Sequence, residues 1–329
     1  MSGLRSRWVE TIPARNHVLM GLLLAKVPSL ENMQCSVPDY WGSHDVLSQD
    51  LRIAVSQKKV LTRLKVLDVH PNSDFQTSAL NLYREAYFAL IQPQLTTFHC
   101  RGYQAFGPHA GWSQLTHIKN LAVHDCDMKA SELDTVATIC QSLQAFAYTA
   151  LPMAASDTWQ RQRGSPKEFS AALRKHSQTL KELHLEVNFR KDRHIWNGGI
   201  SSFEDFTSLE SLKISPLDFA ETFILPSTLG SHGFSATLPS TLKHLTISRW
   251  CWPIRIDIDW LSQAACRGEL DNLETLDIEY CLSATKDRFI MANDLRERLE
   301  SDTGGRIMFF IRVRKVEDRH TGIAYSDRR

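Results

Sequence analysis

The stretch IKNLAVHDCD, Ile118 to Asp127, places an imidazole, two carboxylates and a thiol in four consecutive residues, His124, Asp125, Cys126 and Asp127. These are metal-ligand types, and a thiol near an imidazole is also the pairing of a nucleophilic cysteine. A metal site needs about four convergent ligands, and a nucleophilic cysteine needs a base nearby. The rest of the chain supplies neither by spacing. Its seven cysteines are scattered, with no CxxC and no Cys/His spacing for zinc. GxxxxGK(S/T), GxSxG and HExxH do not occur either. The expectation is a non-enzymatic protein with no catalytic residue, no metal and no cofactor. An enzyme whose site sits in an insert without a motif is the remote alternative.

The elements that carry these residues come from the composition and the patterning. The 329 residues are 43% hydrophobic and 23% charged, ample for a large buried core and far from a disordered composition. Thirty-eight basic residues against thirty-seven acidic ones leave a net charge of +1. No global field draws the chain to nucleic acid or an anionic membrane, so neither is an expected partner. The scattered, odd-numbered cysteines fit free, mostly buried thiols in a reducing, intracellular compartment, cytoplasm or nucleus. The apolar run VLMGLLLA, Val18 to Ala25, is too short to span a bilayer. It reads as a packed N-terminal helix, with a signal peptide as the alternative.

Leucine-rich segments recur along the chain. LKVLDVHPN carries Leu64, Leu67, Val69 and Asn72; IKNLAVHDC carries Ile118, Leu121, Val123 and Cys126; LKELHLEVN carries Leu180, Leu183, Leu185 and Asn188. LESLKISPL follows with Leu209, Leu212 and Ile214, LKHLTISRW with Leu242, Leu245 and Ile247, and LETLDIEYC with Leu273, Leu276, Ile278 and Cys281. Looser copies start at Leu30, Leu95 and Leu143, and MFFIRV from Met308 is a degraded last one. Off-register matches also occur at Leu19 and Leu61, so spacing and the Asn or Cys at the ninth place carry the argument with the count.

The pattern resembles the leucine-rich repeat, L-x-x-L-x-L-x-x-N/C-x-L, over about 30–313. Long gaps, occasional Cys at the ninth place and phrases such as LPSTLKHLTI are similar to the divergent repeat regions of fungal F-box/leucine-rich-repeat proteins. The resemblance implies an α/β leucine-rich-repeat solenoid of about nine irregular repeats, with parallel strands on a concave side and helices on the convex side. It also implies a protein partner, and raises ubiquitin-ligase components as partners of a substrate-recognition subunit. That role needs an F-box ahead of the repeats, and residues 1–29 show nothing like its Leu-Pro-x-Glu opening. A non-catalytic interaction scaffold is therefore the first reading, and a cullin-type ligase adaptor lacking its F-box the second.

In this reading Leu64, Leu67, Leu121, Leu183, Leu212, Leu245 and Leu276 enter the core. Asn72, Cys126, Asn188 and Cys281 turn inward to bond loop backbone. Cys126 thereby has a structural place that needs no chemistry. Helices are expected over SELDTVATICQSL, capped by Ser131, and over SPKEFSAALRKHSQTL, with Pro166 at the first helical position. DWLSQAACRGEL and MANDLRERLE read the same way. Residues 1–29 form a helical cap, 314–329 a loose charged tail, and Ser156 to Pro166 a polar loop whose RQRGSP is also a phosphorylation-type motif. RWCWPIRIDIDW, Arg249 to Trp260, reads as a half-buried strand packing onto the solenoid, with an exposed Trp/Arg hot spot as its alternative.

Side chains alternate along a strand, so the third, fifth and seventh residues of each repeat face away from the core. This surface gathers the candidate partner-binding residues His99, Arg101, Glu182, His184, Glu186, Lys213, His244, Asp277 and Glu279. It also holds His70 and His124. His99 and His124 are expected about 8 Å apart, too far to share a metal ion.

Overall fold

The computed structural model describes residues 29–37, 61–71, 94–102, 115–126, 128–150, 166–186, 202–215, 237–250, 263–281, 296–297 and 299–314. Asn72, Asp127 and Asn188 lie outside them. So do the expected cap before residue 29, the loop 156–165, most of the tryptophan-rich segment and the tail from 315.

Ten strands are present: β1 Asn32–Val37, β2 Val66–Pro71, β3 Thr97–Arg101, β4 Asn120–Cys126, β5 Ala145–Ala150, β6 Glu182–Glu186, β7 Ser211–Ile214, β8 His244–Trp250, β9 Thr275–Cys281 and β10 Met308–Arg314. They form one α/β sheet in strict chain order, β1 to β10, every neighbouring pair parallel. Each connection must therefore climb back over one face before the next strand begins.

The register is carried by the apolar pattern, since a one-residue slip would turn every inward side chain to solvent. Counting from the first apolar residue of each segment, the fourth places align: Leu183 with Leu212, Leu212 with Leu245, and Leu245 with Leu276. All four are buried. The same row continues through Leu67, Phe98, Leu121 and Phe146, and the sixth places supply Val69, Cys100, Val123, Tyr148 and their successors. The first places, from Leu64 to Leu273, close the layer from below.

Backbone bonds repeat with the same step. At eight successive steps the carbonyl of a second-place residue accepts from two consecutive N–H groups of the next segment at 2.7–3.0 Å. The series runs from Glu31, bonded by Lys65 and Val66, to Lys243, bonded by Glu274 and Thr275. The side chains of this row alternate in sign over Lys181, Glu210, Lys243 and Glu274. Lys243 pairs with Glu210 at 2.9 Å, which lowers the Glu210 pKa and raises that of Lys243. Being exposed, the ladder disfavours wrong pairings more than it stabilises the right one.

Helices stand on the core side. α1, Ala130–Ile139, sends Leu133, Val136 and Ala137 inward. It begins one residue before Ser131, so the serine is not its cap. Instead the Lys129 N–H is satisfied by Glu132 Oε2 at 2.9 Å. α2, Pro166–Leu173, starts on its proline and places Phe169 edge-on to Tyr148, ring centroids 4.9 Å apart. It tightens into a 3-10 turn, Arg174–His176, where the regular helix was expected to run on to about Leu180. His176 is buried there and its Nε2–H donates to the Ala137 carbonyl at 2.7 Å, tying the two helices together. Residues 263–266 form one further helical turn, ended by Gly268 at φ +78, the left-handed stop that a residue without Cβ adopts freely. Before β7 the described residues 202–210 contain no helix; the fully buried Phe203 and Phe206 fill the core there.

Candidate functional site: the open face of the sheet

The residues that opened the sequence analysis diverge. At the end of β4 Asp125 adopts φ 51, a left-handed conformation that Asp tolerates better than most residues. This breaks the ladder between Val123 and Cys126 and separates the three side chains. The His124 ring stays on the open face, with Nδ1 3.3 Å from Thr149 Oγ1. The Asp125 N–H donates to the same hydroxyl at 2.9 Å, and its carboxylate lies 3.4 Å from Arg101. Cys126 turns into the core, fully buried, its thiol donating to the His124 carbonyl at 3.0 Å. Tyr148 completes the corner: its hydroxyl donates to the Cys126 carbonyl at 3.1 Å and accepts from the Met128 N–H at 3.3 Å.

The neighbouring thiols are held protonated. Burial, then the hydrogen bond and charge of Cys126, push Cys100 well up, and burial lifts Cys140 to about 12. Thiolates are the reactive species, so these sites should be slow. Cys266 is exposed. Alkylation of the native protein followed by peptide mass spectrometry should therefore modify Cys266 well before Cys100, Cys126 or Cys140. Faster labelling of Cys126 would contradict the structural role given to it. Cys281 contributes the last residue of β9.

The third, fifth and seventh places form three continuous rows across the sheet. One row reads Glu182, Ser211, His244, Thr275, Met308; the next His184, Lys213, Thr246, Asp277, Phe310; the third Glu186, then Ser215 and Ser248 in their strands' places, Glu279, Arg312. The nine candidate residues thus share one face. They are not equally open. Arg101, Glu182 and His244 are exposed, and His99, His184, Lys213 and Glu279 are half-buried. Glu186 and Asp277 are buried, as are Ser215 and Ser248. These two carboxylates are more covered than their places in the rows imply.

A network joins the middle strands. His184 Nε2 lies 3.0 Å from Glu186 Oε1, and Lys213 Nζ lies 3.3 Å from the same oxygen. Lys213 also reaches past β8 to Glu279, at 2.9 and 3.2 Å from its two oxygens. Arg312 Nε meets Asp277 Oδ2 at 2.9 Å. On the other side His124 and His184 approach to 6.3 Å between ring centroids. Burial lowers the His124 pKa first, and His184, Arg101 and His99 lower it further against the pull of Asp125.

Three residues of this face were missed as candidates: Met308, Phe310 and Arg312. Their segment has Arg306 where the pattern asks for an apolar first residue, so the outward places were not assigned. The alternation of Phe309, buried, with exposed Met308 and Phe310 was the usable signal.

Among the described residues no three His, Cys, Asp or Glu side chains are arranged to hold a metal ion, and no helix is long and apolar enough to cross a membrane. No protein-family model matches the chain, and no curated protein matches it.

Proposed function

We propose that this chain is a non-catalytic protein-binding solenoid of the leucine-rich-repeat kind, which recognises a protein partner on the open face of its sheet. One observation carries the reading. Ten parallel strands in chain order put their apolar residues, and the helices α1 and α2, on one side, and align polar and charged residues in rows on the other. Repeat arrays with this layout use the strand face as an extended recognition surface. A partner fits better than a small substrate, because the rows run across many strands about 4.8 Å apart and present Arg101, Glu182 and His244 well separated from one another.

The charge of the face depends on pH. Asp68, Glu182, Glu186, Asp277 and Glu279 stand against Arg101, Lys213 and Arg312, a net of −2 with neutral imidazoles. Each imidazole of the face that protonates, among His70, His99, His124, His184 and His244, makes this balance less negative, and burial disfavours the charged form of His124. Imidazoles change charge between pH 5 and 8, so partner affinity should change across pH 5.5–8. The double variant His184→Ala with His244→Ala should flatten that dependence. A partner indifferent both to pH and to the double variant would remove the histidines from the recognition surface.

A further inference from the structure

We propose that Asp277 and the outer strand β10 form a subsite for a cationic side chain, a lysine or arginine carried by the partner of this face. The inference rests on the binding-face reading above and names the chemistry of what binds. Asp277 is only 7% exposed, yet its Oδ1 has no hydrogen-bond partner while Oδ2 is held by Arg312. A buried carboxylate oxygen without a donor is costly, and a donor brought by a ligand would satisfy it. Charge points the same way. Asp277 is a buried carboxylate whose ion pair with Arg312 engages Oδ2 alone, so its second oxygen suits a cationic donor.

The wall of the subsite is apolar and open. Phe310 pairs with Asp277 in the register and is 43% exposed, and Met308 beside it is 56% exposed. An aromatic ring next to a carboxylate suits a guanidinium or ammonium, which gains from the ring face as well as from the charge. Arg312, the other side chain at Asp277, is long and 65% exposed, so it can move aside without disturbing the core.

The test uses the full chain with methyl-labelled methionine and follows the Met308 methyl signal by NMR at pH 7.5. Nα-acetyl-arginine amide and Nα-acetyl-lysine amide are the probes, and uncharged acetyl-citrulline amide is the control. At least one cationic probe should shift the signal saturably with a dissociation constant in roughly the millimolar range, and citrulline should not. Asp277→Asn should weaken binding about tenfold or more. Phe310→Ala, at an exposed position that does not threaten folding, should weaken it about two- to fivefold. Glu168→Gln, exposed on α2 on the helical side of the sheet, should leave it unchanged. Burial raises the Asp277 pKa, against Arg312 and Lys213 and with Glu279, so binding should fade on acidification. No saturable shift, an equal response to citrulline, or indifference to both Asp277→Asn and Phe310→Ala would overturn the subsite. The probes need no partner, so this result stands apart from whether a protein binds the face.

Discussion

Replacing Leu212 by alanine is expected to lower the free energy of unfolding by about 2–5 kcal/mol. The side chain is fully buried and sits in the middle of the row Leu183, Leu212, Leu245, Leu276, packed between equivalent leucines of both neighbouring strands. Removing its isobutyl group forfeits the transfer energy and leaves a cavity that the surrounding apolar side chains fill only in part. The position also joins the segments before it to those after it, and in such an array stability is a sum of local and nearest-neighbour terms. The loss should therefore appear at the interface of two units and reduce cooperativity. Ser211→Ala, one residue away on the open face, should change stability by no more than about 0.5 kcal/mol. Denaturant titration of both variants checks the contrast, and a Leu212→Ala protein as stable as the parent would refute the assigned register.

The second large effect is expected from Lys213→Met. The ammonium is the shared cation of Glu186 and Glu279, and only 22% of its side chain is exposed. Methionine keeps most of the volume and removes the charge, leaving two poorly solvated carboxylates without it. Stranding one partner of a buried pair costs about 3–5 kcal/mol. The residual exposure of this lysine brings the expected loss nearer to about 2–3 kcal/mol at pH 7.5. Lys213→Arg, which keeps the charge, should recover most of the loss. Urea titrations of both variants at pH 7.5 separate this from a packing defect, which arginine would not relieve.

The core of the fold was legible because its rule is local. Three apolar places per segment must point inward, and they do so even where Phe98, Phe146 and Tyr148 replace leucine. The recurrence of the leucine-rich segments, not any one segment, led to the expectation of parallel strands in one sheet, and the ten strands do pair in chain order. What was not legible has particular causes. Ser131 looks like a helix cap by type, yet Glu132 reaches the Lys129 N–H and sets the cap two residues earlier. The helix after Pro166 tightens because His176 must meet the Ala137 carbonyl, a contact thirty-nine residues away in sequence. On the open face, alternation placed the nine candidates correctly on one side. It carried no information on which would be covered, so Glu186 and Asp277 read as open as Glu182. Nor does any one-dimensional pattern reveal that Lys213 spans two strands to Glu279.

The most direct test of the binding face is site-specific photocross-linking in the native cell. A photoreactive amino acid is placed at Glu182 or His244 on the open face and at Asp134 or Glu168 on the helical side, all exposed to solvent. A partner on the strand face predicts one reproducible protein adduct from the first two positions and none in common from the other two. The same adduct from Asp134 or Glu168, with none from Glu182 and His244, would contradict it.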